Sequence, residues 1–116
     1  VSWYTMGQKV GQYLAQRHPV KGANNAKVAW FPGPKESGWV KFIDDGFHDG
    51  IAGSGVQIVA VKWGDTGKEI QRNLLQEVLE ESIDFDYIVG TALTADAAVS
   101  ELLSRNLRGK IGLVGL

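Results

Sequence analysis

Aromatic side chains are the residues of this sequence whose types and positions could bind a ligand. Four tryptophans occur among 116 residues, and at least two of them lie in segments that read as loops. A tryptophan ring attracts cations through its quadrupole, by roughly 0.5–2 kcal/mol depending on desolvation. An aromatic set with no clear grid of hydrogen-bonding partners suits a small alkylated ammonium better than a sugar. The candidates are Trp3, Tyr4, Trp39 and Trp63, and packing in the core is the alternative role of each tryptophan.

The sequence lacks the motifs of catalysis and cofactor binding. The segment 33–38 follows a predicted strand, as a phosphate-binding loop would, but it lacks the Gly-Lys-Ser/Thr ending and Pro34 removes an amide donor. The glycines of 50–55 follow a helix instead of a strand, which is the wrong order for a dinucleotide-binding fingerprint. No cysteine is present, and neither histidine has partners at metal-ligand spacing. We therefore expect no enzyme, no metal site and no cofactor, with a small α/β enzyme as one alternative.

Alternating helices and strands must position the aromatic candidates. Four segments carry apolar residues at helical spacing, with Phe42 in the stripe of the second and Ile70 in that of the third. Four short apolar runs read as strands, and their strict alternation with helices favours a parallel sheet covered on both faces. The predicted fold class is α/β, a three-layer αβα sandwich with a four-strand parallel sheet. The predicted helices are 2–17, 37–51, 68–82 and 91–106, and the predicted strands are 27–31, 56–61, 87–89 and 110–114.

The carboxyl ends of the predicted strands are the expected place for a ligand. Parallel α/β sheets bind ligands at that edge, and here the strands lead into 31–34, 62–65 and 90–93. Trp63 falls in the second of these segments and Trp39 falls near the edge. Trp3, at the start of the chain, is expected to come close to the same edge together with its neighbour Tyr4.

Composition limits the classes of partner. The formal net charge is -1 and charges of both signs are scattered, so we expect neither nucleic-acid binding nor an electrostatic contact with a membrane. No apolar run approaches the roughly 20 residues that span a bilayer, so no direct membrane insertion is expected. A length of 116 residues fits one domain. Both ends are expected to continue, because the first residues lack an initiator Met and the last residue closes an apolar run.

Several stretches resemble the second lobe of type I periplasmic binding proteins. The first is 28–33 followed by 38–47, in which a strand and a glycine loop lead to a helix that ends in Gly-Phe. Further likeness lies in 75–79 with 85–90 and in 109–115. The resemblance covers essentially the whole chain. It implies a two-lobed, periplasmic protein in which residues 1–116 form a single domain, the second lobe, with the first lobe absent and the ligand held between the lobes.

Within that family, the segment 2–7 resembles the branch that senses trimethylamine N-oxide and signals to a membrane sensor histidine kinase in a two-component system. This resemblance implies that aromatic rings cage the ligand's methyl groups and that Trp3 and Tyr4 lie beside the cleft. Two departures from sugar-binding relatives support it: Lys41 stands where they carry an Arg, and 91–93 where they carry an Asn-Asp pair. A sugar- or autoinducer-binding periplasmic protein and the regulatory core of a cytoplasmic repressor share this architecture and stay open.

Overall fold

The computed structural model describes residues 2–18, 26–65, 67–81, 85–105 and 111–115. Four helices alternate with four strands, in the order that the apolar pattern predicts. The predicted ends of the third helix at Ser82 and of the fourth at Asn106, and the predicted start of the last strand at Lys110, lie outside the described residues. The helices are α1 (Trp3–Arg17), α2 (Gly38–Ile51), α3 (Lys68–Glu80) and α4 (Ala92–Ser104), and the strands are β1 (Ala26–Gly33), β2 (Val56–Trp63), β3 (Tyr87–Gly90) and β4 (Gly112–Gly115).

The four strands form one parallel sheet in the order β2-β1-β3-β4. This confirms the predicted αβα fold class. The neighbouring strands β1 and β3 are followed by α2 and α4, which pack on opposite faces of the sheet. The crossover after β1 therefore leads to β2 on one side, whereas the crossover after β3 leads to β4 on the other, which makes the carboxyl ends of β1 and β3 the topological switch point where such sheets form a crevice.

The central strand β1 divides the interior into two apolar clusters. Val28 and Trp30 pack with residues of α1 and α2 on one face, whereas Ala29 and Phe31 pack with residues of α3 and α4 on the other. Successive residues of a strand point to opposite faces, and helices cover both faces of this sheet. All four side chains are therefore fully buried. Trp30 stacks on Phe47 with ring centroids 4.2 Å apart. Its role is therefore in the core, as the packing alternative allows for a tryptophan.

Glycines bring α1 and α2 into backbone contact. A Cβ atom placed on Gly7 would lie 2.1 Å from the carbonyl oxygen of Ile43, and one placed on Gly46 would lie 2.1 Å from that of Tyr4. Only glycine permits so close an approach of two backbones. The two helices are thereby fixed against each other, and both begin at the carboxyl edge of the sheet, α1 at Trp3 and α2 at Gly38.

A β-bulge changes the direction in which the end of β2 faces. The pairing of β1 with β2 skips Val59, so that Val28 lies opposite Ile58 but Ala29 lies opposite Ala60. Ile58 packs against the cluster under α1 and α2, whereas Ala60, two residues on, packs against the cluster under α3 and α4. In a regular strand both would point to one face. The bulge thus reverses the facing of every residue that follows it in β2.

Candidate functional site

Trp3 and Trp39 meet at the carboxyl edge of the sheet. Their ring centroids lie 5.3 Å apart with an interplanar angle of 41°. Ser2 starts α1 at this point, because its hydroxyl accepts a hydrogen bond from the Thr5 amide at 3.0 Å. Trp3 is 47% exposed, so the pair forms part of the surface and leaves ring area free for a ligand.

Gly33, the last residue of β1, connects this pair to Trp63. The Trp39 ring would come within 3.0 Å of a Cβ placed on Gly33, whose φ of 124° also favours glycine. Gly33 lies opposite Trp63 in the pairing of β1 with β2, and its carbonyl accepts a hydrogen bond from the Gly64 amide at 3.0 Å. Trp39 and Trp63 therefore flank one glycine at the rim of the sheet.

The bulge in β2 places Trp63 on the same side of the sheet as α1 and α2. Lys62, the residue before it, faces α3 and forms salt bridges to Glu77 at 3.8 Å and to Glu81 at 2.7 Å. Because successive residues of a strand point to opposite faces, Trp63 faces the side that carries Trp3 and Trp39. A cleft of about 360 Å³ opens beside it, lined by Pro34, Lys35, Glu36, Trp63, Gly64 and Asp65.

Tyr4 does not join the other three aromatic candidates. Its hydroxyl donates a hydrogen bond to the carboxylate of Asp49, which lies in the last turn of α2 and so away from the carboxyl edge. This hydrogen bond raises the pKa of Tyr4 above its ordinary value, and burial and the negative charges of Asp49 and Asp45 act in the same direction. Trp3 and Trp39 are thus in ring contact, Trp63 lies at the same edge opposite Gly33, and the contacts of Tyr4 are with α2.

A buried polar network behind the rim was not anticipated from the sequence. The Gln71 side chain, 1% exposed, donates to the carbonyl of Asp65 at 2.6 Å and accepts from the Thr94 hydroxyl at 2.7 Å. It joins the loop after β2 to the start of α4, whose cap Thr91 also contacts Thr94 at 3.2 Å. The sequence does contain a pattern that predicts the burial of Gln71, because Gln71 lies four and seven residues before the buried Leu75 and Val78, on the inner face of α3.

Farther from the rim, a buried carboxylate joins α3 to α4. Glu101 is 4% exposed and accepts hydrogen bonds from Arg72 at 2.9 Å and from Gln76 at 3.1 Å, while Arg105 lies 3.6 Å away. The hydrogen bond from Arg72 is the main reason that the pKa of Glu101 falls below its ordinary value, against the opposing effect of burial. This cluster holds the two helices together.

The chemistry available at the rim is that of ring faces, the ammonium group of Lys35 and the carboxylates of Glu36 and Asp65. Lys35 holds its Nζ 5.9 Å from the centroid of the Trp63 ring, within the distance at which a cation is attracted to an aromatic face. Among the described residues, no three histidine, aspartate or glutamate side chains gather as a metal site would require. The same residues contain no helix long and apolar enough to cross a membrane.

Comparison with known proteins identifies relatives along almost the whole chain. Periplasmic protein TorT of Escherichia coli K12 is 44% identical over 114 residues, which are 98% of this chain and 32% of TorT. The chain thus spans about a third of the length of that relative. These matches confirm the predicted resemblance to the TorT-type branch, and the predicted periplasmic localisation agrees with that of the curated relatives.

Solved structures agree with the sequence comparison. A solute-binding protein of an ABC transporter from Bradyrhizobium sp. BTAi1, with bound Bis-Tris, has a TM-score of 0.93 and 43% identity over 99% of this chain and 34% of its own. Two structures of the complex of the TorS sensor domain with TorT also match, each with 43% sequence identity over 99% of this chain. The one without ligand has a TM-score of 0.90 and is covered over 38% of its chain, and the one in the presence of trimethylamine N-oxide has a TM-score of 0.88 and is covered over 37%. Residues 1–114 match the sequence profile described as periplasmic binding proteins and the sugar binding domain of the LacI family, and the chain belongs to that family.

Proposed function

We propose that this chain is the second lobe of a periplasmic sensor that binds trimethylamine N-oxide between two lobes and signals to a sensor histidine kinase of the TorS type. The observation that carries the proposal is the contact of Trp3 with Trp39 at the carboxyl edge of the sheet. Two tilted ring faces form a concave apolar surface that fits a methylated nitrogen. The relatives of known structure include TorT in complex with the TorS sensor domain and trimethylamine N-oxide.

The physical case for binding rests on the ring faces. Each tryptophan contributes roughly 0.5–2 kcal/mol to holding a cationic group, with the higher value for a desolvated site. The pair alone is open to solvent, since Trp3 is 47% exposed. The first lobe, closing over the rim, would exclude water and complete the cage. The proposed role is binding and signalling, and no catalytic step is required of these residues.

Signalling follows from a difference in affinity between two states of the protein. A ligand held by both lobes stabilises the closed arrangement over the open one and so changes the surface that a partner contacts. TorT and the TorS sensor domain form a complex both without ligand and with trimethylamine N-oxide. We therefore expect the two-lobed protein to bind a TorS-type sensor domain in either state, with the ligand changing the geometry of the complex.

Titration calorimetry on the full, two-lobed protein tests the proposed ligand. Trimethylamine N-oxide should bind and D-ribose should not. Trp3→Ala and Trp39→Ala should each weaken binding by about 1–2 kcal/mol, which is roughly five- to thirtyfold in Kd. Tyr13→Ala is the matched control, because Tyr13 lies on the same helix as Trp3 and is 49% exposed. Binding of D-ribose, or unchanged affinity in both tryptophan variants, would overturn the proposal.

Solute uptake is a second candidate, favoured by one observation. The Bradyrhizobium relative is described as a solute-binding protein of an ABC transporter and holds Bis-Tris, an amine that also carries hydroxyl groups. If this chain serves uptake, the two-lobed protein should bind Bis-Tris or related amino alcohols at least as tightly as trimethylamine N-oxide. It should then also fail to associate with a TorS-type sensor domain in size-exclusion chromatography.

A further inference from the structure

The face of the Trp63 ring already holds a positive charge that belongs to the protein. The Nζ of Lys35 lies 5.9 Å from the ring centroid, and the bulge at Val59 is what turns Trp63 towards the side of the Trp3–Trp39 pair. None of the salt bridges between described residues involves Lys35. The Lys35 side chain is exposed, and the contact that the structure shows for its ammonium is with the aromatic ring.

We propose that Lys35, held on Trp63, makes the site select dipolar methylated amines such as N-oxides and reject permanently cationic methylated ammonium ions. This inference rests on the proposed function and assigns a specificity-determining role to one residue. Lys35 lies two positions after Gly33, and Gly33 separates Trp39 from Trp63. Trp39 and Trp63 thus lie beside the last residue of one strand, and the ammonium of Lys35 lies over the second of these rings.

The selection follows from charge. An N-oxide presents methyl groups around its nitrogen to the tryptophan rings and an anionic oxygen that can accept a hydrogen bond from an ammonium group. Tetramethylammonium offers almost the same methyl surface, but it carries a net positive charge and has no acceptor. An ammonium group at the rim attracts the first and repels the second, which is how a site discriminates between ligands of similar shape.

Removing the Lys35 charge should reverse this preference in part. Glu36 and Asp65 line the same cleft, so a neutral residue at position 35 would leave a rim with two acidic residues. Such a rim attracts cations. Affinity for tetramethylammonium should then rise while affinity for trimethylamine N-oxide falls, and the two changes act on the ratio of dissociation constants in the same direction.

The test compares Kd for trimethylamine N-oxide and for tetramethylammonium by calorimetry on the full, two-lobed protein. The wild type should prefer the N-oxide, and Lys35→Met should reduce that preference by roughly tenfold or more. Lys35→Arg should keep it, since the charge is retained. Lys27→Met is the matched control: Lys27 is an exposed lysine near the opposite end of β1, its loss changes the net charge equally, and the preference should not move.

The inference would be overturned, and the proposed function left standing, if Lys35→Met did not change the ratio of the two dissociation constants, whether both affinities fell equally or neither changed. Trp63→Leu gives a second reading. It removes the ring that holds Lys35 but keeps the ammonium, so the preference should weaken less than in Lys35→Met. If the wild type binds neither ligand, the proposed function itself is wrong, and the role of Lys35 falls with it.

Discussion

Replacing Gly46 by alanine tests whether backbone contact between α1 and α2 determines the stability of the fold. A Cβ atom at this position would lie 2.1 Å from the carbonyl oxygen of Tyr4 and 2.9 Å from the amide nitrogen of Gln8. Both atoms belong to the α1 backbone, so no side-chain rotation can relieve the clash. The interior is close-packed, and α1 would have to move away from α2 by about 1 Å to restore ordinary contact.

The expected loss of stability is about 2 kcal/mol. Overpacking of this kind costs about 1–3 kcal/mol, and displacement of a whole helix belongs at the upper end of that range. The higher helix propensity of alanine offsets about 1 kcal/mol of the cost. For a domain of this size, a net loss of about 2 kcal/mol lowers the Tm by about 8 °C.

Thermal and urea denaturation followed by circular dichroism measure this effect. Gly38→Ala is the control: Gly38 also lies in α2, but no atom lies within 4 Å of its Cβ position, so stability should hold or rise slightly. The reasoning would be refuted if Gly46→Ala unfolded at the same temperature and urea concentration as Gly38→Ala. The backbones of α1 and α2 would then be able to separate without cost.

Three further predictions concern the polar network, pH and the single lobe. Gln71→Leu should cost about 1–3 kcal/mol in urea denaturation, because it removes the Gln71 amide that the Thr94 hydroxyl and the Asp65 carbonyl hydrogen-bond; the exposed Gln57→Leu should cost little, and equal costs would exclude the network as the cause. Because the pKa of Glu101 is lowered in the folded protein, its carboxylate should stabilise the fold above about pH 4.5, and this contribution should be lost as the pH falls through the folded-state pKa. At pH values below 4.5 the urea concentration at the unfolding midpoint should therefore decrease, and it should decrease less steeply in Glu101→Gln than in the wild type. If the chain is one of two lobes, as proposed, the 116 residues alone should bind trimethylamine N-oxide weakly or undetectably, because half a cleft cannot exclude water; a micromolar Kd from calorimetry would contradict this.

The order of elements could be predicted from the sequence because apolar periodicity differs between helices and buried strands. Individual burial could not. Phe42 is 56% exposed and Ile70 41% exposed, although the pattern placed both on apolar faces. In α3 the inner position belongs to Gln71, whose amide is tolerated there because its hydrogen bonds are satisfied.

The end of β1 was also beyond the reach of sequence patterns. The strand was predicted to stop at Phe31, because proline lacks the amide donor that a strand uses, yet it continues through Pro32 to Gly33. The pairing with β2 is irregular between Trp30 and Gly33, which accommodates the proline. This extension is what places Gly33 between Trp39 and Trp63.

The aromatic candidates and their position near the carboxyl edge were predictable, but the contact of Trp3 with Trp39 and the side of the sheet that Trp63 faces were not. Strand order decides which carboxyl ends are neighbours, and the bulge at Val59 decides which way Trp63 faces. Neither leaves a signal in local periodicity, since the order depends on long-range pairing and the bulge on a single extra residue. Tyr4 was grouped with Trp3 on adjacency and on the family resemblance; adjacent residues of a helix point about 100° apart, and the side chain of Tyr4 contacts Asp49.

The most direct test of the central claim is the proton chemical shift of the methyl groups of trimethylamine N-oxide bound to the full, two-lobed protein. Methyl groups seated against the ring faces of Trp3 and Trp39 should shift strongly upfield through ring currents. The shift should shrink in Trp3→Leu and in Trp39→Leu and stay unchanged in Tyr13→Leu. A bound ligand whose methyl resonance shows no upfield shift, or the same shift after loss of either tryptophan, would contradict the account.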